Sequence, residues 1–561
     1  MATASSDEKP LLLNASGDFS HLKTVSYKGR FLYSKYNPLR TVVSVIERTT
    51  LLPGSLLIIC SPCLWYGFSE LLSALPEGCT LIALEAEREL FALARQQQPS
   101  EAQEVRLFHT DDSAGIDRFL REAAEHGSIK RAVQLDFSAG AQLQQDSYRR
   151  ITAAAQEIIA TFWTNRITLV RMGRLFAKNI FQNAVRLGSD AQLADIAHCV
   201  GRPIIVCGAG ESLDSTPLPS DGSAYIIAVD VALAQLLARN VPVNAAVSLE
   251  GQSVIEKAYI GAKSLLDGRN DFTFFADISS RPSVAGKLPG NTVWFASAYT
   301  QAGWLNRLRQ SGLVKEYCEP LGSVGLAATY IALELRRDSS VPVYVTGLDF
   351  CYSAGLTHAK ETPAHKARLG TSGRLQPAEN FAAAFAPGTM PCTDKRNKTM
   401  VTSRILMSYA RHFAQRFSGT AGLYDAGFCG IPLGLPQKPL PHGMPGRDRL
   451  QHRDDVTQAL AELAGRVLSD RKERCAAFYA EEKRVLLCIQ SLLSEGDKSP
   501  QRDAGLTLSE QLRGLLAPRE YLYLHFPDGY RLSLEAAFLK RVRAETDFFL
   551  KQIAIGTSGR T

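Results

Sequence analysis

The chain has no uninterrupted apolar stretch of about twenty residues, the length a helix needs to cross a bilayer, so no membrane span is expected. Its opening, MATASSDEKPLLLNASGD, puts acids and a proline ahead of a short leucine run. It lacks the basic start and apolar centre of a secretory leader, and the expected setting is cytoplasmic. No long block of lysine and arginine is present. The net charge of +7 therefore fits an anionic ligand or an acidic partner, and no nucleic-acid partner is expected. The 11 cysteines are scattered, several of them (Cys207, Cys475, Cys488) inside apolar runs, which suits reduced core thiols and excludes a disulfide framework. No Cys/His group has zinc spacing, and no internal repeat of useful period occurs.

One cysteine pair stands apart. Cys60-Ser-Pro-Cys63 follows a strand-like run and precedes a helix-like one, so a thioredoxin-type redox turn is weighed against a simple tight turn. The remainder of a thioredoxin fold does not follow, which favours the tight turn.

What the chain does have is length and alternation. At 561 residues with 45% hydrophobic content it has room for about three to four domains. Residues 1–145 read as a Rossmann-like unit: SLLIIC, CTLIALE and AVQLDF are strands separated by helices, with Glu85 or Glu87 where a ribose-binding acid would lie. Its first turn lacks phosphate-loop glycines, so a structural or recognition role is expected. Residues 146–188 read as a connecting helix, 189–435 as a central α/β domain with a mostly parallel sheet, and 446–561 as a helical domain. In that last region Val456, Leu460, Leu463 and Val467 share one face and Val485, Leu486, Ile489 and Leu493 another. Residues 400–417 read as an amphipathic helix, and the turn-rich stretch from Tyr424 to Gly446 ends the central domain with the composition of a linker.

The chemistry-bearing signals lie in the centre. Pro203-Ile-Ile-Val-Cys207 runs into Gly208, Ala209, Gly210, Glu211 and Ser212, the pattern of a buried parallel strand entering a loop whose amides can approach a phosphate. Strand-like runs end in acids at Asp230, Glu250, Asp277 and Asp349, which a parallel sheet would gather at its carboxyl edge, unless each merely caps the next helix. Gly322-Ser323-Val324 opens an alanine-rich helix where Ser323 can cap or bind an anion. After Asp349 a long breaker-rich stretch carries Tyr352, Thr357, His358, Lys360 and His365. His358 is the candidate general base, because an imidazole titrates near neutrality.

These motifs resemble the motility-associated factor (Maf) flagellin glycosyltransferases, whose centre is shared with 6-hydroxymethylpterin diphosphokinases (MptE-like). The Gly-Ala-Gly-x-Ser-Leu-Asp loop is matched by Gly208 to Asp214, the next strand-end acid by Asp230, the Gly-Ser-Val helix start by Gly322 to Val324, and the later Gly-x-Asp-x-x-Tyr and Thr-His-Ala by Gly347 to Tyr352 and Thr357 to Ala359. Ser34-Lys-Tyr-Asn-Pro38, Asn179 and Asn183 extend the likeness beyond the centre. Glu211 stands in place of the family's proline, Glu250 of an aspartate and Leu348 of a glutamine. The resemblance implies a sialyltransferase-like central domain. It also implies transfer of a nonulosonic sugar from a CMP-activated donor to Ser or Thr of flagellin or another protein acceptor, with no cofactor beyond the donor. In that scheme Gly208 to Ser212, Gly322, Ser323, Gly347, Tyr352 and Thr357 surround the donor, Asp230, Glu250 and Gln252 lie near ribose or base, and His358 and Asp349 are catalytic. Two alternatives come with it: a diphosphokinase using ATP and Mg²⁺ held by Asp230, Glu250, Asp277 or Asp349, and a non-catalytic flagellar or envelope assembly protein.

Overall fold

A computed structural model describes residues 9–125, 129–300, 303–441, 455–463, 468–495 and 507–557. The chain divides into two compact units, residues 1–171 with 526–530, and residues 172–525 with 531–561. The helix Gln145–Asn183 contains the boundary.

In the first unit, β1 (Leu11–Asn14), β2 (Lys23–Tyr27) and β3 (Arg30–Phe31) form a small antiparallel sheet. A parallel sheet follows, built from β4 (Ser55–Cys60), β5 (Thr80–Glu85), β6 (Arg106–His109) and β7 (Arg131–Asp136) in the order β6-β5-β4-β7, a Rossmann-like arrangement. β4 is buried at every position, as its unbroken apolar run requires, and each of its faces feeds a separate core. Cys60 points into one core and Cys63 into the other, both fully buried, and burial pushes both thiols well above the ordinary range. The pair is a turn of positive-φ residues (Ser61, Cys63, Trp65), not a redox couple.

The crevice where a Rossmann unit takes its nucleotide is closed from within. Glu85, fully buried, accepts hydrogen bonds from the Ser61 hydroxyl (2.8 Å), the Tyr148 phenol (3.0 Å) and the amides of Ala86 and Glu87 (2.9 and 3.2 Å). Glu87 is paired with Lys28. Neither expected ribose acid faces an open site.

The second unit is organised on eight strands, all paired in parallel: β8 (Ala191–Gln192), β9 (Ile204–Cys207), β10 (Tyr225–Val229), β11 (Ala245–Ser248), β12 (Thr273–Asp277), β13 (Asn291–Phe295), β14 (Val343–Thr346) and, after a two-stranded hairpin of β15 (Thr389–Thr393) and β16 (Thr399–Ser403), β17 (Leu423–Asp425). The order is β17-β14-β9-β10-β11-β12-β13-β8. Two expectations are corrected here. The helix placed at 400–417 spans Arg404–Phe417, because Met400, Val401 and Thr402 pair with β15 and Ser403 then caps the helix through the Leu406 amide. The stretch read as linker begins inside β17, whose Tyr424 and Asp425 pair with β14 as an edge strand.

Helices Asp455–Leu463, Leu468–Glu495, Leu508–Leu516 and Ala536–Thr557 make the helical carboxyl-terminal region. Val485, Leu486 and Ile489 are buried there as their spacing predicts, as is Val456; Val467 lies outside the described residues. Glu482, fully buried, holds this region to the helix Gly303–Gln310: it pairs with Arg307 and Arg519 and accepts the Tyr521 hydroxyl at 2.5 Å.

Candidate functional site

Strand order reverses direction between β9 and β14, and ligands of open α/β sheets bind at the carboxyl edge beside such a point. The glycine loop after β9 lies there, but its glycines answer a different demand from the expected one. Neither Gly208 nor Gly210 has a positive φ. A Cβ on Gly208 would stand 2.2 Å from the Gly347 oxygen, and one on Gly210 2.7 Å from the same atom. The two loops lie backbone against backbone. The Gly208 amide donates to Thr346 and the Gly210 amide to Gly347, both at 2.8 Å, so two N–H groups expected to cradle a phosphate are already spent. Gly347 is the residue that needs conformational freedom: its φ is +69°, and a Cβ there would meet the Gly208 oxygen at 2.4 Å.

Ser212 and Asp349 complete this clasp. The Ser212 amide donates to Asp349 Oδ2 at 2.7 Å, its hydroxyl to Oδ1 at 2.5 Å, and the Gly347 amide donates back to Ser212 Oγ at 2.9 Å. Burial pushes the Asp349 carboxyl up to about 6, against the pull of the Ser212 hydrogen bonds and the Lys395 ammonium. Lys395 is itself buried and bonded to Asp425 on β17 at 2.5 Å, and the Cys429 thiol reaches Asp349 Oδ2 at 3.7 Å. Sequence reading missed Lys395, Asp425 and Cys429. Each lies far from the loop in sequence, and nothing local marks them.

The four strand-end acids are bound separately. Asp277, fully buried, accepts from the amides and hydroxyls of Ser279 (2.7 and 2.5 Å) and Ser297 (2.8 and 2.7 Å), tying the loops after β12 and β13 together. Glu250 takes the Gln252 amide at 2.8 Å. Asp230 opens the helix Asp230–Ala238 and takes the Val231 amide at 2.8 Å; burial, with Glu250 nearby, pushes it up to about 7. Among the described residues no three His, Cys, Asp or Glu side chains gather as a metal set.

The structure does bring several candidates to one mouth. The Ala359 amide donates to the Ala209 oxygen at 2.8 Å, which sets His358 beside the glycine loop although about 150 residues separate them in sequence. Burial lowers the His358 pKa, so the imidazole is neutral at neutral pH, and its Nδ1 lies 3.2 Å from the Thr357 hydroxyl. Glu211 accepts the Ser353 amide at 3.2 Å and lies within electrostatic reach of Arg396, which offsets its charge. Ser323 caps the helix Val324–Leu335 through the Gly325 amide, as expected, and Gly322 takes φ +71° against the Tyr409 ring. Leu348 projects between the two motifs. Its Cδ2 lies 2.6 Å from where Gly208 would carry a Cβ and 2.5 Å from the same position on Gly325, so an apolar wedge joins the loop to the helix start. Tyr352 belongs to the wall: its hydroxyl donates to Ala383 at 3.0 Å and its amide to Val401 at 2.9 Å. Gln252 is exposed beyond Glu250.

Asn179 and Asn183 hold the neighbouring loops in place. The Asn179 amide donates to Gly251 and Ser279 (3.1 and 2.9 Å) and the Asn183 amide to Ile278 and Ser280 (both 2.9 Å), spanning the loops after β11 and β12.

A family model described as 6-hydroxymethylpterin diphosphokinase MptE-like matches residues 176–355, which include β8 to β14 and the glycine loop. An "Uncharacterized protein" of Treponema pallidum (strain Nichols) is 30% identical over 571 residues, covering 97% of this chain and 95% of that one. The chain belongs to that protein's family, with an MptE-like domain at its centre. In fold it is similar to the Maf glycosyltransferase from Magnetospirillum magneticum AMB-1, with a TM-score of 0.55 across 98% of this chain and 92% of the other at 14% identity. The MptE-like centre and the Maf fold expected from the motifs are both found. Outside the MptE-like domain the fold likeness takes in the Rossmann-like unit and the carboxyl-terminal helices. Among the described residues no helix is long and apolar enough to cross a membrane.

Proposed function

We propose that the protein is a glycosyltransferase that moves a nonulosonic sugar from a CMP-activated donor to Ser or Thr hydroxyls of a protein acceptor, flagellin being the first candidate. The observation that carries this reading is the whole-chain likeness to a Maf glycosyltransferase, extending over 98% of the residues rather than the MptE-like centre alone. The mouth supports it through a neutral, half-buried His358 held against the glycine loop.

In this reading His358 takes the proton of the acceptor hydroxyl as its oxygen bonds to the anomeric carbon and the CMP phosphate departs. With the Gly208 and Gly210 amides and the Ser212 hydroxyl committed to the clasp, the donor phosphate is assigned to the remaining loop amides at Ala209 and Glu211 and to the Ser323 helix start. Asp230, carrying its proton near neutrality, can donate a hydrogen bond to the donor. A cytoplasmic setting suits the cysteines, all of which are free thiols.

Three measurements test the reading. Thermal melting with CMP, ATP or GTP should show a rise with CMP alone. Intact-mass analysis of the host's flagellin with and without the protein should show a glycan that is lost in its absence, and identical masses would refute the flagellin assignment. His358→Ala should lower transfer by about 10²- to 10⁴-fold without changing the CMP melting shift; unchanged transfer would remove the base assignment.

A further inference from the structure

His358 owes its place to the residues that follow it. Among the described residues its ring is hydrogen-bonded only to the Thr357 hydroxyl, one position earlier, so no remote element grips the imidazole itself. The backbone after it is gripped at two points. The Ala359 amide donates to the Ala209 oxygen at 2.8 Å, and the Lys360 amide donates to Asp214 Oδ2 at 2.9 Å, across 146 residues of sequence. Ala359 is fully buried, and the hydroxyl of Thr362, buried as completely, donates to the Ala359 oxygen at 3.0 Å. The helix Pro363–Thr371 that comes next contains no buried residue, so the grip on this segment is concentrated at Ala359, Lys360 and Thr362.

Asp214 is fixed from its other side. Its Oδ1 accepts from the side-chain amide of Gln235 at 3.0 Å, and Gln235 is 1% exposed within the helix Asp230–Ala238. Arg239, at the end of that helix, donates to the Leu213 oxygen at 3.3 Å and steadies the turn Glu211–Ser215 in which Asp214 stands. One carboxylate thus joins the turn after the glycine loop, the helix that Asp230 opens and the segment that carries His358. Both of its oxygens are in use, each for a different element. An asparagine could accept through only one oxygen, and bonds to an ionised acceptor are the stronger kind.

We propose that Asp214 is the positioning residue for His358: by holding the Lys360 amide against the turn after the glycine loop, it sets where the imidazole stands. It acts through the backbone and touches no reacting atom. Its effect on catalysis rests on the transferase reading, whereas the hold is a property of the fold.

Two readouts keep those parts separate. The first is the titration of His358, followed by NMR of the full chain labelled at its 10 histidines and identified as the signal that His358→Ala removes. Burial keeps this imidazole below its ordinary 6.5, so Asp214→Ala, by releasing the segment into water, should raise the midpoint toward 6.5. A carboxylate acting directly on the ring would do the reverse, since losing it would lower the midpoint. An unchanged or lowered midpoint in a folded variant overturns the proposal. Asp214→Asn, which retains one accepting oxygen, should give a smaller rise and serves as the test if the alanine chain does not fold. The second readout is the rate of glycan addition to the host's flagellin, followed by intact mass. Asp214→Ala should slow it about 10- to 10²-fold, the scale of a misplaced catalytic group, and should slow it no further when His358→Ala is already present. A raised midpoint with undiminished transfer would overturn the positioning role, as would a further loss in the double variant. If the wild-type chain leaves flagellin unmodified, the transferase reading on that acceptor fails, and the titration still decides the hold.

Discussion

Asp230 gives the sharpest test of the candidate site's electrostatics. Its side chain is 4% exposed, one oxygen is held by the Val231 amide, and burial raises the carboxyl from 3.8 to about 7. Such a shift corresponds to about 4 kcal/mol of cost in keeping the group ionised. The amino end of the helix Asp230–Ala238 favours the anion by up to about 1 kcal/mol, so about 3 kcal/mol is the working figure. The native state holds the proton up to about pH 7 while the unfolded chain releases it near pH 4, so between those values the native state binds more protons. Stability from this group is therefore present at low pH, falls as pH rises through that window, and is flat above it. Asp230→Asn keeps the oxygen that receives the Val231 amide and removes the titration. Urea unfolding of the full chain should find the variant nearly as stable as wild type at pH 4 and about 3 kcal/mol more stable at pH 8. Under the proposed donor placement, in which protonated Asp230 donates a hydrogen bond to the donor, CMP should bind wild type more weakly as pH rises from 6 to 8 and the variant with a flatter profile. The stability result stands apart from the donor reading. A variant-minus-wild-type difference that is the same at pH 4 and pH 8 would refute the burial argument.

Three further outcomes follow from buried contacts. Glu85→Gln should add about 3 kcal/mol at pH 8 and little near pH 4.5, since burial holds this carboxyl at about 7 against an ordinary 4.5; hydrogen exchange of the β4 and β5 amides across that range checks it. Gly347→Ala should destabilise by about 2 kcal/mol or more, because φ +69° alone costs about 1–2 kcal/mol and the new Cβ meets the Gly208 oxygen, an effect read from the melting temperature. Glu482→Ala should cost about 3 kcal/mol by leaving buried Arg519 and half-buried Arg307 without their carboxylate, and urea unfolding should show the loss, with Glu482→Gln milder.

The frame of the second unit was legible because a strand buried on both faces has to be apolar throughout, and Ile204–Cys207, Tyr225–Val229 and Ala245–Ser248 are unbroken runs buried at every position. β16 and β17 were not, since a five-residue strand running directly into a helix and a three-residue edge strand among turns leave no periodicity to read. The acids at strand ends were visible as a set, yet what each does is decided by partners remote in the chain: Asp349 by Ser212, 137 residues away, and Asp277 by Ser297, 20 away. The glycine loop shows the limit most clearly. A Gly-x-Gly after a buried strand is what a phosphate cradle requires, and it is equally what a second loop requires if it is to lie within hydrogen-bonding distance of the first. The two demands call for the same letters. Only the neighbouring strand separates them, and here β14 brings Gly347 with positive φ and places Leu348 behind it, where a family glutamine would have offered a polar group to the same space. A ligand approaching this loop therefore meets a backbone stiffened from behind and, at Leu348, an apolar side chain where the motif implies a polar one.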